Sequence, residues 1–125
     1  MKRNSEKFVI TKDMKWEELG GGVSRKFLGY DNQIMMVQVK FEKGALGAPH
    51  QHFHTQATYC ALGKFEFEIN GEKKIIEAGD GVYIEPNLLH SAICLEKGIL
   101  IDTFSPVRED FLSGDGVSYF GDKKS

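Results

Sequence analysis

Phe65-Glu66-Phe67-Glu68-Ile69-Asn70-Gly71-Glu72-Lys73-Lys74-Ile75-Ile76-Glu77 holds two strand-like runs, 65–69 and 73–77, around an Asn-Gly pair. A two-residue type I′ hairpin needs positive φ at both turn positions, and Asn followed by Gly accepts it most readily. Outward from this hairpin the same grammar repeats. Further strand-like runs fall at 34–41, 56–62, 81–84, 90–95 and 98–104. Between the runs sit Glu42-Lys43-Gly44, Leu62-Gly63-Lys64, Ala78-Gly79-Asp80, Pro86-Asn87 and Glu96-Lys97-Gly98. No amphipathic helix of useful length interrupts them. Many short strands at this spacing predict an all-β sandwich or barrel.

The segment before residue 30 carries a weaker signal. Gly20-Gly21-Gly22 reads as a flexible turn, and Trp16 and Phe27 are expected to pack on the barrel or on a second subunit. The tail from Ser113, rich in Gly, Asp and Lys, is expected to be frayed or loosely docked. At 125 residues the chain has the size of one domain able to close a core without disulfides. We therefore expect a single domain over 1–125, with the barrel core roughly at 30–105 and the two ends peripheral.

Composition narrows the function classes. A formal net charge of -2 gives no basic surplus for nucleic acid or anionic membrane. No apolar run approaches the roughly 20 residues that cross a bilayer. The Met1 to Lys7 stretch lacks the apolar core of a secretory signal, so a cytoplasmic location is expected. In that setting Cys60 and Cys94 are expected to be buried free thiols.

The chain has 4 histidines, three of them within His50-Gln51-His52-Phe53-His54 and the fourth at His90. Residues two apart on a strand share a face, so His50 and His52 can aim at one point. Three alternate residues would span about 13 Å, too far for all three to reach one ion without a bend. We expect that bend after His52, with Gln56 opening the next strand and returning to the site. His90 then approaches from across the barrel. Neutral imidazoles suit zinc, iron, nickel, copper or manganese, and the Gln56 amide oxygen adds no charge. Such a set leaves a divalent ion uncompensated, which favours an anionic substrate.

Here the pattern resembles a known family. Gly44, His50-x-His52, Gln56 and Gly63 resemble the first cupin motif, with Gln56 where most cupins have Glu. Gly79-Asp80 through Pro86-Asn87-Leu88-Leu89-His90 resembles the second. The resemblance implies a cupin double-stranded β-helix, or jelly-roll barrel, with one divalent transition metal inside, and usually a homodimer. Its metal ligands would be His50, His52, Gln56 and His90. The metal would be nickel, zinc, iron or manganese.

A closer resemblance runs over 22–111, to the small single-domain cupins of the pectin degradation protein type. It rests on His50-x-His52-x-His54-x-Gln56, on Gly63-Lys64-Phe65-Glu66-Phe67, and above all on Asp102-x-Phe104-Ser105-Pro106-x-Arg108-Glu109-Asp110-Phe111. Such enzymes open the ring of unsaturated uronates released by polysaccharide lyases. The resemblance implies that Asp102, Phe104 and Arg108 line the site near the metal.

The residues themselves leave alternatives open. Asp102 interrupts the apolar run Ile99-Leu100-Ile101, and a carboxylate there either faces solvent or is buried beside a partner. Arg108 either grips a substrate carboxylate bidentately or forms a surface ion pair with Glu109 or Asp110. Arg25 and Tyr30 are possible wall residues. Two other functions fit the same pocket: a non-catalytic sugar- or anion-binding cupin, and another cupin enzyme such as an oxygenase or polyketide cyclase.

Overall fold

A computed structural model describes residues 2–113, and within them a 3₁₀ turn (Thr11–Asp13), eight strands and one short α-helix follow each other along the chain. The strands and the α-helix are β1 (Glu17–Gly20), β2 (Val23–Tyr30), β3 (Met35–Phe41), β4 (Leu46–His50), β5 (Thr55–Ile69), β6 (Glu72–Glu77), β7 (Gly81–Ile84), β8 (His90–Ser105) and α1 (Glu109–Leu112). The tail expected to fray beyond Ser113 lies outside the described residues.

β5 and β8 pair antiparallel along their whole length, from Thr55 opposite Ser105 to Ile69 opposite His90. Each takes two further neighbours. The first half of β5 pairs with β7 and the second with β6, while β8 pairs with β4 at 90–93 and with β3 at 98–104. Two layers result, β1-β2-β3-β8-β5-β7 and β4-β8-β5-β6, sharing the two long strands. The all-β expectation holds as a double-stranded β-helix. The inner faces bury Met35, Val37, Val39 and Phe41 of β3 against Cys60, Phe65 and Phe67 of β5 and Cys94, Leu100 and Phe104 of β8. Each such side chain contributes about 1.5–3 kcal/mol through the apolar surface it withdraws from water. Both cysteines are buried and free, as expected.

The expected runs 56–62 and 65–69 are one strand, and so are 90–95 and 98–104. Gly63 and Gly98 look like turn residues in the sequence, yet they are bends where the two strands cross from one layer to the other. Gly63 has φ +86°, and a Cβ there would lie 2.5 Å from the Lys97 carbonyl oxygen. A Cβ on Gly98 would overlap the Leu62 carbonyl oxygen and lie 2.8 Å from Phe65 Cε1. The pairing register shifts between Cys60 and Phe65, as it does where a bulge turns a strand through a corner. At the hairpin, Asn70 and Gly71 have φ 49° and 90°.

The sequence signal also missed β1, β2 and β4. β2 reads Val-Ser-Arg-Lys-Phe-Leu-Gly-Tyr, with no clean alternation, because its Arg25 points inward. β4 is short and contains Gly47 and Pro49. The three glycines at 20–22 form the turn between β1 and β2, all with positive φ. Phe27 packs against the core, and Trp16 lies under the Lys26 and Lys40 ammonium groups at 4.5 and 4.4 Å.

The crossing makes a stability prediction. Gly98→Ala forces a methyl between the Leu62 carbonyl and the Phe65 ring, and is expected to cost about 2–3 kcal/mol. Urea unfolding of the metal-stripped protein measures it. A loss under about 0.5 kcal/mol would mean that the backbone relaxes there without strain.

Candidate metal centre and its cavity

The register of β5 on β8 builds one wall of the site. Gln56 lies opposite Phe104 and Thr58 opposite Asp102, so all four side chains share the inner face. At the other end, His50 closes β4 directly opposite His90, the first residue of β8. Residues 51–54 connect β4 to β5, so the strand breaks after His50 and His52 comes from the connection. The strand thus ends before His52 rather than after it as expected, and the chain bends at Phe53 and His54 before β5 begins. His54 does not join the others; it is buried, stacked on Phe53 with ring centroids 4.0 Å apart.

His50, His52 and His90 form a group in which one ring nitrogen each can be chosen with all three within 4.8 Å of one another. Their other nitrogens are already engaged. His50 Nδ1 donates to the Ala48 carbonyl at 2.8 Å, His90 Nδ1 to Leu88 at 2.9 Å, and His52 Nδ1 to His54 at 3.2 Å. These bonds fix the tautomer that leaves the three Nε2 lone pairs free. His90 Nε2 is buried without a partner among the described residues. His52 Nε2 then faces Gln56 Oε1, a second acceptor, at 3.0 Å. A shared cation reconciles that contact, since neighbouring ligands at about 2.1 Å from one ion are separated by about 3 Å.

Burial also keeps the imidazoles neutral, as metal binding requires. Desolvation pushes His50 down to about 4, and it pushes His52 down to about 3 with help from the Arg108 charge. His90 is lowered by burial as well. The residues present fit a divalent metal.

Asp102 and Arg108 share a cavity with His50 and His90 of this group, walled by Phe104 and Phe111. Asp102 is buried, and desolvation raises its carboxyl to about 6 against the opposing pull of the Thr58 hydroxyl and the Arg108 charge. Its Oδ1 accepts from Thr58 Oγ1 at 2.7 Å and from Gln56 Nε2 at 3.4 Å. Arg108 precedes α1 and is only 3% exposed. Its Nε and Nη2 grip Asp110 at 3.0 and 2.8 Å, and its guanidinium lies 5.0 Å from the Phe104 ring centre and 4.2 Å from that of Phe111. The Asp110 ion pair allowed by the sequence therefore exists, with its Arg108 half buried and its Asp110 half partly exposed. Glu109 pairs with Arg3 instead.

Arg25 and Tyr30 are not cavity walls. The Arg25 guanidinium sits between the Phe27 and Phe111 rings at 4.9 and 4.6 Å and pairs with Glu17 at 2.9 Å. The Tyr30 hydroxyl donates to the Lys2 carbonyl, tying down the N-terminal arm. Sequence reading passed over Thr58 and Phe111. Thr58 shares strand parity with Gln56, which is the signal that points it inward.

Residues 37–101 match the cupin domain family. This chain is a cupin. The cupin is 47% identical over 108 residues to the pectin degradation protein KdgF of Dickeya dadantii (strain 3937), a match covering 85% of this chain and 98% of that one. Among solved structures it resembles an RmlC-like cupin from Shewanella frigidimarina NCIMB 400, at 42% identity and a TM-score of 0.86 over 88% of this chain and 99% of that one. It also resembles KdgF from Halomonas sp., at 38% identity and 0.82 over 86% and 99%.

Single His50→Ala, His52→Ala and His90→Ala variants of this cupin are expected to stay folded and to lose at least about 100-fold in zinc or nickel affinity. Removing even an outer partner of a ligand costs 10–100-fold. Metal content after dialysis, beside far-UV circular dichroism, checks this. Full metal retention in any one variant would remove that histidine from the centre.

Proposed function

We propose that this cupin converts 4,5-unsaturated hexuronates from the cyclic hemiacetal to the linear keto form, a step in using lyase products of pectin or alginate. The observation that carries the reading is the convergence of a buried carboxylate, Asp102, and a buried guanidinium, Arg108, on the cavity of the histidine group. The likeness to two proteins called KdgF, one of them a pectin degradation protein, supports the uronate as substrate.

The reaction is an isomerisation. The anomeric hydroxyl gives its proton to Asp102 as the bond from C1 to the ring oxygen breaks, leaving an aldehyde at C1 and an enolate at C5. C4 then gains a proton and C5 becomes a ketone, so no atom is gained or lost overall. In this reading His50, His52, His90 and Gln56 hold a divalent metal, which would supply Lewis-acid polarisation of substrate oxygens. Asp102 carries the proton from the anomeric hydroxyl to C4. A carboxyl raised to about 6 by burial is ionised enough to accept a proton near neutrality and acidic enough to return it. Arg108 binds the substrate carboxylate with the donors that Asp110 leaves over. Phe104 packs on the sugar face and keeps water out.

The same reading has the protein working in the cytoplasm as a homodimer. Support for self-association comes from the outer face of the first layer, where Met36, Tyr59 and Tyr83 lie exposed on strands joined by continuous pairing. Size-exclusion chromatography with light scattering is expected to give twice the 14.1 kDa chain mass, and a monomer at micromolar concentration would refute the dimer.

Incubation with unsaturated galacturonate, or with the uronate that alginate lyases release, is expected to abolish the conjugated-acid absorbance in a metal-dependent way. Asp102→Asn should lose at least about 100-fold in kcat with its metal in place, the usual contribution of a positioned acid/base group. Arg108→Lys, lacking the planar fork, should raise KM about tenfold. A fully active Asp102→Asn protein would exclude the carboxylate as proton carrier. No turnover by metal-loaded wild type would exclude the reaction.

A further inference from the structure

Side-chain hydrogen bonds join His52 and Gln56 to Asp102 by two routes, a direct one from Gln56 Nε2 at 3.4 Å and one of shorter bonds through Thr58. Thr58 is 4% exposed on the inner face of β5, directly opposite Asp102. A hydroxyl has one proton to give and lone pairs to receive, and both are used. Oγ1 donates to Asp102 Oδ1 at 2.7 Å and accepts from Gln56 Nε2 at 2.9 Å. Because its proton goes to the carboxylate, the hydroxyl meets Gln56 as an acceptor, and only the amide nitrogen can answer it. The amide nitrogen therefore turns toward Thr58 and Asp102, which aims Oε1 at His52 Nε2, 3.0 Å away. Reversing the amide would place Oε1 against the Asp102 carboxylate, which Nε2 now approaches at 3.4 Å.

The same hydroxyl orders the carboxylate. Oδ1 is occupied by Thr58 and Gln56, whereas Oδ2 accepts no hydrogen bond from any described residue. We propose that Thr58 is a positioning residue for both halves of the site. Its hydroxyl holds the Gln56 oxygen toward the metal position and keeps Asp102 Oδ1 occupied, so that Oδ2 is the oxygen that handles the substrate's proton. The second half rests on the ring-opening reading; the first does not.

Thr58→Val removes the hydroxyl and keeps the branched shape that suits a strand, and Thr58→Ser keeps the hydroxyl. Zinc affinity, measured by competition with a chromophoric chelator, is expected to fall about tenfold in Thr58→Val and to return in Thr58→Ser, the range seen when a partner that orients a ligand is lost. With unsaturated uronate, kcat of zinc-saturated Thr58→Val should fall about tenfold with KM within about twofold, because the carboxylate rather than the substrate grip is disturbed. Should Thr58→Val not fold, Thr58→Ala carries the same comparison. A hydroxyl that served only packing would lower the unfolding midpoint and leave zinc affinity unchanged, and that result overturns the proposal. So does wild-type zinc affinity in Thr58→Val with no change in midpoint. If wild type turns over no uronate, the ring-opening reading fails alone and the zinc comparison still decides the role of Thr58 toward Gln56.

Discussion

The pairing of β5 with β8 is the constraint on which the rest of the molecule hangs. These two strands belong to both layers, so their register sets every other strand's place. It also sets the site. Gln56 opposite Phe104 and Thr58 opposite Asp102 are four inward side chains only in this register, and a one-residue slip of either strand would turn its two to solvent. The crossing at Gly63 and Gly98 pins that register, because both positions lack room for a Cβ and no other pair in the two strands is glycine with glycine. A fold-level bend and a chemical arrangement thus share one cause. Both halves of the two strands contribute to the core and to the cavity, so the same two backbones hold the site together.

Much of this is written in local sequence, and what is not has a physical reason. The Asn70-Gly71 hairpin and the His50, His52 pair depend on neighbours within a few residues, so spacing alone exposes them. β2 does not, because a strand that buries an arginine breaks the alternation by which strands are recognised. Arg25 is tolerated there by Glu17 from β1 and by two aromatic rings, one of them Phe111 from 86 positions further along the chain. Gly63 and Gly98 mislead for a related reason: a glycine required by close backbone approach is indistinguishable in sequence from one required by a turn. Arg108 and Asp110 were visible as a pair, yet the burial of Arg108 comes from Phe104 and Phe111, which only the fold brings against its guanidinium. The inward direction of Thr58 follows from parity, but its partner lies 44 residues away.

The choice of an amide at position 56, where most cupins carry a carboxylate, follows from the charges around it. Gln56 Nε2 stands 3.4 Å from Asp102 Oδ1, so a glutamate there would set two carboxylates side by side in a buried wall. Like charges at that distance share a proton rather than both ionise, and Asp102 would be raised beyond the range in which it releases a proton near neutrality. Thr58 would be drawn into the conflict as well, since its single proton serves only one of two acceptors. The amide avoids this by presenting a donor to the carboxylate and an acceptor to the histidines. It would also leave the proposed ligand set neutral. With Arg108 already balanced by Asp110, Asp102 would be the one anion among the described cavity residues to face a divalent ion, and the cavity would keep a net positive charge. An anionic ligand entering that cavity gains from the uncompensated charge in a setting that screens it poorly. In the proposed reading, a preference for a carboxylated molecule and the working ionisation of Asp102 would be two consequences of one side chain, Gln56, oriented by another.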